Sequence, residues 1–401
     1  MKRHYRIAGW FAAAFAGLLV LAMVALWGVA MPIRHLPEPT GPHLVGTISL
    51  DLTDHSRVES YSLSDDPGPR RLRAQIWYPA AERTGRRQAW MPDGRAHIRA
   101  IVEANGFPRF IWDHTVFMRS GSYEGAPILQ VDDDSNGFPL VLMSHGWTGY
   151  RGLHTDVAED LASHGFVVVA AEHTYGAAAV RFDDGTVIQA SSRILPLRAE
   201  TPDFLDYANR LVRTFSADNR FLLSHLSGGY GSTPADDGLA SIAARVDFDR
   251  IGLVGHSTGG GAMVDMVLGE GAVEARALVG LDAWVEPLGR ERLERDSYRV
   301  PSLFLRSEQW EGGTNDGYLV PFVERAARLG TDGTSATGAS VPVELRQIAG
   351  ITHAQFSTLY MYRPVMQWIG YLGSADPLAF ADEQRRMIRE FLQAWLERNP
   401  S

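Results

Sequence analysis

The chain has 401 residues, with 38 Lys and Arg against 47 Asp and Glu, a formal charge of -9 that argues against nucleic acid as a partner. It has no cysteine, and Lys2 is its one lysine, so thiol nucleophiles, thiolate metal sites, disulfides, Schiff bases and Ser-Lys dyads are excluded. Neither a G-x-x-x-x-G-K-[ST] nor an H-E-x-x-H string occurs, and no metal or cofactor is expected.

From Ile7 to Ile33 there is no charged residue, a stretch long enough at about 1.5 Å per residue to cross a hydrocarbon core of about 30 Å. Lys2, Arg3 and Arg6 precede it, so a retained helix would leave its N-terminus in the cytoplasm and everything after residue 35 on the extracytoplasmic side of the cell membrane. Gly28-Val29-Ala30 has the small-x-small pattern of a signal-peptidase site, and cleavage there, giving a secreted or periplasmic protein, is the competing expectation. The apolar stretch exceeds the roughly 7 to 15 residues of a signal core, which favours the anchor. Residues 1–35 are thus read as an anchor or signal segment, and residues 36–401 as one catalytic domain.

A Pro-rich linker, Pro32 to Pro42, leads to extended runs at Val45 to Leu52 and Leu72 to Trp77. An aromatic-rich insertion at about 83–129 follows, carrying Trp90, Phe107, Phe110, Trp112 and Phe117, and it is a candidate lid. Asp132-Asp133-Asp134 precedes Ser-Asn-Gly and is expected to be a solvated turn, not a calcium site. The apolar run Phe138 to Met143 then delivers Ser144-His145-Gly146-Trp147, an HG-type loop of the kind that supplies one oxyanion donor in lipases and esterases. Trp147 N–H is the expected donor, Gly146 allows close approach, and His145 is expected to brace the loop.

Asp156 with Glu159 reads as a capping box for a helix that stops at Gly165, ahead of the buried strand Phe166 to Ala171. A second insertion, about 174–249, is another candidate lid. Next comes the most informative segment: the strand-like Arg250 to Gly255 breaks into Gly255-His256-Ser257-Thr258-Gly259 and continues at helical spacing through Met263, Val264, Val267 and Leu268. Small residues two positions either side of a serine, between strand and helix, are the signature of a nucleophile elbow. Thr258 N–H, next in the chain, is the second expected oxyanion donor.

A serine in a chain without other activators must be deprotonated by histidine. With the order nucleophile, acid, histidine, His353 is the only one of the 13 histidines after His256, and it lies in the loop leaving the strand-like Val343 to Ile348. Two carboxylates compete for the acid: Asp282 ends the run Ala277 to Leu281, and Glu308 follows the run Pro301 to Leu305. Spacing alone leaves them even. Ile388, Phe391, Leu392, Trp395 and Leu396 mark a closing amphipathic helix. Strand and helix alternate from residue 138 onward, so the expected fold is an α/β-hydrolase fold, a mostly parallel sheet with helices on both faces, plus one N-terminal transmembrane helix.

Several separated segments resemble the platelet-activating factor acetylhydrolase family, plasma and intracellular type II: Gln75-Ile-Trp-Tyr-Pro79, Ser144-His-Gly146, Asp160 to Phe166 with Glu172-His173, Gly255 to Gly260, Gly280-Leu-Asp-Ala-Trp284, Ser307-Glu308, and His353 with Gln355 and Phe356. That resemblance implies Ser257, Asp282 and His353 as the triad, with Glu308 in a supporting role. It also implies backbone N–H of Trp147 and Thr258 as oxyanion donors, no cofactor, and short sn-2 acyl esters of phospholipids as substrates, with a broader carboxylesterase or cutinase-like polyester hydrolase as the alternative. A non-catalytic binding protein on the same fold is a third reading. Trp147 and Thr258 depart from the Leu and Phe that the family carries there, which leaves a backbone role intact but changes the side chains around the acyl group.

Overall fold

A computed structural model of the chain describes residues 2–30, 34–62, 64–131, 136–228, 237–269, 271–295, 298–331 and 342–397. The aspartate run at 132–134 lies outside the described residues. Among the described residues twelve strands form, β1 (Leu44–Val58), β2 (Pro69–Ala80), β3 (Arg87–Ala89), β4 (Arg119–Glu124), β5 (Phe138–Ser144), β6 (Val167–Glu172), β7 (Ala179–Arg181), β8 (Val187–Gln189), β9 (Val246–His256), β10 (Ala277–Leu281), β11 (Ser302–Ser307) and β12 (Val343–Ile348). The helices are α1 (Lys2–Ala30), α2 (Gly94–Ala104), α3 (Thr155–Ser163), α4 (Phe204–Leu226), α5 (Asp237–Ala243), α6 (Thr258–Met266), α7 (Gly289–Arg295), α8 (Asp316–Thr331), α9 (Val365–Trp368) and α10 (Pro377–Leu396).

Ten of the strands make one sheet in the order β12-β11-β10-β9-β5-β6-β2-β1-β4-β3, and β7 with β8 makes a separate ribbon. From β6 to β12 every pairing in the large sheet is parallel, while β2 runs antiparallel to both β6 and β1. Parallel strands buried on both faces read as continuous apolar runs, and alternate residues serve opposite cores. Leu140 and Leu142 of β5 join a core built with Leu211 and Phe215 of α4 and Met263 of α6, whereas Val141 and Met143 join one with Leu161 of α3 and Leu392 of α10. Helices therefore cover both faces, as expected.

The 174–249 segment, a candidate lid by sequence, contributes its long helix α4 as a layer of the core. Phe204, Ala208, Leu211, Val212 and Phe215 recur at helical spacing and are buried, and Val212 packs at Gly261 of the elbow helix. The 83–129 insertion packs into a further core shared with Tyr150, Leu153 and the segment around 360–366, in which Trp112 stacks on Tyr362 at 4.9 Å and 4°, while Phe110 and Phe117 remain exposed.

The capping box expected at Asp156 does not form, because both carboxylates are committed elsewhere. Helix α3 starts at Thr155; Asp156 accepts the Tyr360 hydroxyl at 2.7 Å, and buried Glu159 accepts Gly121 N–H and Ser122 N–H at 2.7 and 2.9 Å, tying β4 to α3. The closing helix starts eleven residues before the first apolar position used to find it, at Pro377, with Asp376 accepting Leu378 and Ala379 N–H. An N-cap aspartate followed by proline at the first helical position is the signal that locates this start. The proline-rich segment is strapped down after residue 34: Leu36 is buried, and Thr40 hydrogen-bonds Asp160. Helix α1 is apolar over Gly9–Leu26, long enough to cross a membrane, and none of that window is buried by the rest of the chain.

Candidate active site

Ser257 sits between β9 and α6 at φ 56° and ψ -121°, a conformation that a non-glycine residue adopts only when its surroundings over-determine it. The surroundings are the small residues of the motif. A Cβ at Gly255 would lie 2.5 Å from the Gly259 carbonyl oxygen, and one at Gly259 would lie 2.3 Å from that of Ser144. The elbow is clamped from below as well, since Ser257 N–H donates to Leu281 O and Trp284 N–H donates to Ser257 O, both at 2.9 Å. Ser257 is thereby presented to a cleft of about 170 Å³ that His353, Trp147, Trp112 and Tyr371 also line. From the first insertion Ile101, Asn105 and Phe107 reach this cleft, whereas among the described residues none of 174–249 does.

His353 opens the loop after β12 and donates from Nδ1–H to Asp282 Oδ2 at 2.9 Å. Asp282 is buried, at φ 42°, and its carboxylate also accepts Ser307 N–H at 2.7 Å and the Ser307 hydroxyl at 2.6 Å. Glu308, the rival acid, points elsewhere: its Oε2 accepts Gly350 N–H at 2.6 Å, bracing the turn that leads to His353. The next two residues continue that bracing. Gln309 Oε1 accepts His353 N–H at 2.8 Å, and the Trp310 ring stacks on the His353 imidazole at 4.4 Å and 5°. Sequence reasoning missed Gln309 and Trp310. Nothing in their spacing marks them, beyond their place directly after the strand end beside Asp282.

On the far side of His353 lies His256, 4.4 Å away between ring centres, with His154 another 5.2 Å beyond. Burial pulls both rings down, His256 well below the ordinary 6.5 and His154 to about 3, with the nearby His353 adding to the effect. Both rings remain neutral, His256 lining the cleft beside Ser257 and His154 packed against it. The Trp147 N–H points to the elbow, where it donates to Thr258 Oγ1 at 3.3 Å, and Thr258 itself opens α6. The two residues expected as oxyanion donors are therefore side by side.

Of the described residues, Asp93, His97 and Glu172 come closest to a metal-ligating group. A guanidinium already stands where a cation would: Arg151 NH1 lies 2.7 Å from Asp93 and 2.6 Å from Glu172, and Arg73 NH2 lies 3.1 Å from Asp93. Asp93 and Glu172 thus already face guanidinium groups, and Arg73 also pairs with Asp51 and Asp183.

The fold resembles that of a ferulic acid esterase from Streptomyces cinnamoneus, with a TM-score of 0.66 at 23% identity over 92% of this chain and 95% of that one. Among curated proteins, a platelet-activating factor acetylhydrolase of Bos taurus is 29% identical over 190 residues, covering 44% of this chain and 42% of that protein. A probable 1-alkyl-2-acetylglycerophosphocholine esterase of Arthroderma benhamiae is 27% identical over 271 residues, 65% of this chain and 62% of that protein. The chain thus spans less than two thirds of the length of each of these two relatives. The family model for platelet-activating factor acetylhydrolase, isoform II, matches residues 29–193 and 234–329, which takes in the HG loop, the elbow and Asp282. With well over half of its length matched, the chain belongs to the platelet-activating factor acetylhydrolase, isoform II, family.

Proposed function

We propose that this protein is a serine carboxylic ester hydrolase acting through an acyl-enzyme, with Ser257 as nucleophile, His353 as general base and acid, and Asp282 as the group that orients the imidazole. His353 takes the Ser257 proton on Nε2 as the alkoxide attacks the ester carbonyl, and Asp282 stabilises the resulting imidazolium through Nδ1–H. The tetrahedral oxyanion is held by Trp147 N–H and Thr258 N–H, the alcohol leaves with the proton from His353, and water repeats the sequence to release the acid. The observation that carries this reading is the strained Ser257 at a strand–helix junction, facing the same cleft as an imidazole hydrogen-bonded to a buried carboxylate.

Short sn-2 acyl esters of phospholipids are the proposed substrates. A cleft of about 170 Å³ is close in size to the ~150 Å³ cavity that accepts benzene, room enough for a short acyl group. Membership in the acetylhydrolase family supports the same class. The exposed apolar helix α1 supports attachment to the cell membrane, with Lys2, Arg3 and Arg6 placing the catalytic domain outside the cytoplasm; cleavage after residue 30 would release it instead.

The test is a chain-length series of nitrophenyl esters together with a short-chain phospholipid, run on the full chain, Ser257→Ala, Asp282→Asn and Glu308→Gln. Ser257→Ala is expected to lose most of a million-fold or larger acceleration, and Asp282→Asn on the order of 10⁴-fold, while Glu308→Gln keeps most activity. No turnover by the full chain above the Ser257→Ala background would make the protein a non-catalytic member of the fold. Activity on simple esters with none on the phospholipid would make it a broad carboxylesterase of cutinase type.

A further inference from the structure

Behind the HG loop lies a second Ser-His-Asp chain that the proposed reaction does not use. His173, just past the end of β6, donates from Nδ1–H to Asp218 Oδ2 at 3.0 Å, and its Nε2 accepts the Ser144 hydroxyl at 2.9 Å. Ser144, His173 and Asp218 are all at most 1% exposed, so no substrate reaches this serine. Burial alone would raise the Asp218 carboxyl, but Arg70, bound through Nε at 2.9 Å and NH2 at 2.6 Å, holds it far below the usual range. Arg57 NH1 adds a third contact at 2.9 Å. The ionised carboxylate fixes the proton of His173 on Nδ1, which leaves Nε2 as an acceptor for Ser144.

His145 is the neighbour of this chain, 5.0 Å from His173 between ring centres. Its Nε2 accepts the His173 backbone N–H at 3.4 Å, so its own proton sits on Nδ1, from which it donates to Gly146 O at 2.7 Å. The other tautomer would set two donors against each other at one end and a nitrogen lone pair against a carbonyl oxygen at the other. Burial, with His173 alongside, keeps the ring neutral by drawing it well below its ordinary value.

Gly146 O receives a second bond from Gly149 N–H at 2.9 Å. In a planar trans peptide the carbonyl and the amide N–H point in opposite directions. Gly146 C=O and Trp147 N–H belong to one such unit. Two donors that draw the carbonyl inward therefore turn the N–H outward, to where it meets Thr258 Oγ1 at the elbow.

We infer that His145 is a positioning residue for the oxyanion hole: in its Nδ1–H form it holds the Gly146–Trp147 peptide with the N–H aimed at the developing oxyanion, and the backbone N–H of His173, whose ring is anchored between Asp218 and Ser144, holds His145 in that form. This rests on the proposed role of Trp147 N–H as an oxyanion donor.

The experiment compares His145→Ala, His145→Asn and Ser257→Ala in the full chain. Rates are referred to the fraction of sites labelled by a fluorophosphonate, which corrects for misfolded protein. Asparagine places an amide N–H near the position of Nδ1 and can restore the bond to Gly146 O. Expected for His145→Ala is a fall in kcat on nitrophenyl acetate of up to about 10²-fold with KM changed little, because the interaction is made only to the transition state. Affinity for a trifluoromethyl ketone, which forms an anionic tetrahedral adduct, should fall in step with kcat/KM, while His145→Asn recovers most of both. Asparagine as slow as alanine, or His145→Ala at wild-type kcat per labelled site, overturns the inference while leaving the nucleophile assignment standing. Turnover by Ser257→Ala overturns both.

Discussion

His154 gives a direct measure of how the packing beneath the site responds to acid. It is buried with its Nε2 unpartnered, in edge contact with His256, and burial draws its titration from 6.5 to about 3. The unfolded chain protonates this ring near pH 6.5 and the native state does not, so the unfolded state binds more protons and stability falls as pH drops below 6.5. The stabilisation is fully present above that value. The loss runs at about 1.4 kcal/mol per pH unit, which gives about 2 kcal/mol between pH 6.5 and 5 from this residue alone. A typical domain has about 5–15 kcal/mol in total. His145 and His256, also drawn well below 6.5, act in the same direction, whereas Asp156 and Glu159, raised by burial, oppose them. Asp93 and Asp218, lowered by their arginines against the effect of burial, add losses only below about pH 4. Comparing His154→Gln with the native sequence isolates one ring from this background. Urea unfolding followed by tryptophan fluorescence at pH 7.5, 6.5, 5.5 and 5 should show the native chain losing about 2 kcal/mol more than the variant over the acid interval. Parallel curves would refute the burial argument.

The elbow glycines should be intolerant in proportion to their clearance. Gly259→Ala, whose Cβ would meet Ser144 O at 2.3 Å, should cost about 1–3 kcal/mol or more in urea unfolding and reduce fluorophosphonate labelling, whereas Gly68→Ala, with nothing within 4 Å, should stay within about 0.5 kcal/mol. Trp310→Ala removes the ring stacked on His353; kcat/KM for nitrophenyl acetate should fall roughly 2- to 5-fold, as expected for about 0.5–1 kcal/mol of cation–π support to the imidazolium. An unchanged rate would reduce that contact to packing. Ser307→Ala deletes one charge-assisted bond to Asp282 and should lower kcat/KM by about 10-fold or more, read in the same assay.

The parallel strands and the elbow were legible because each depends on local chemistry. An apolar run long enough for one strand, a G-x-S-x-G turn that admits no Cβ, and a helix-period pattern after it leave little choice of fold. Histidine order in the chain left His353 as the candidate base, and the structure sets its imidazole against Asp282 at 2.9 Å. What remained hidden was set by distant partners. Asp156 and Glu159 have the spacing of a capping box, yet Tyr360 and the β4 backbone claim them, and the sequence carries no sign of contacts made across 204 and 37 or 38 positions. The 174–249 segment is a different case: the periodic Phe204, Ala208, Leu211, Val212 and Phe215 announce a core helix, and its place as an insertion ahead of the elbow suggested a lid.

Asp282 and Glu308 could not be separated by counting strands, and the geometry at the ends of β10 and β11 explains why. In the generic arrangement the acid follows the strand after the one that leaves the elbow helix, which here is β11. The end of β11 is occupied by Ser307, and it supplies donors where a carboxylate would otherwise stand: its N–H and hydroxyl both bind Asp282, which reaches across from the neighbouring strand. That reach requires the chain to turn sharply just past Leu281, and Asp282 does so at φ 42°, with its N–H bonded to Leu305 O of β11. Moving the carboxylate one strand over leaves the position of the imidazole to be set by whatever follows Ser307. Glu308, Gln309 and Trp310 do so through Gly350 N–H, His353 N–H and the face of the His353 ring. The end of β11 therefore carries contacts that support the Asp282–His353 pair, and its glutamate braces Gly350 instead of the histidine side chain.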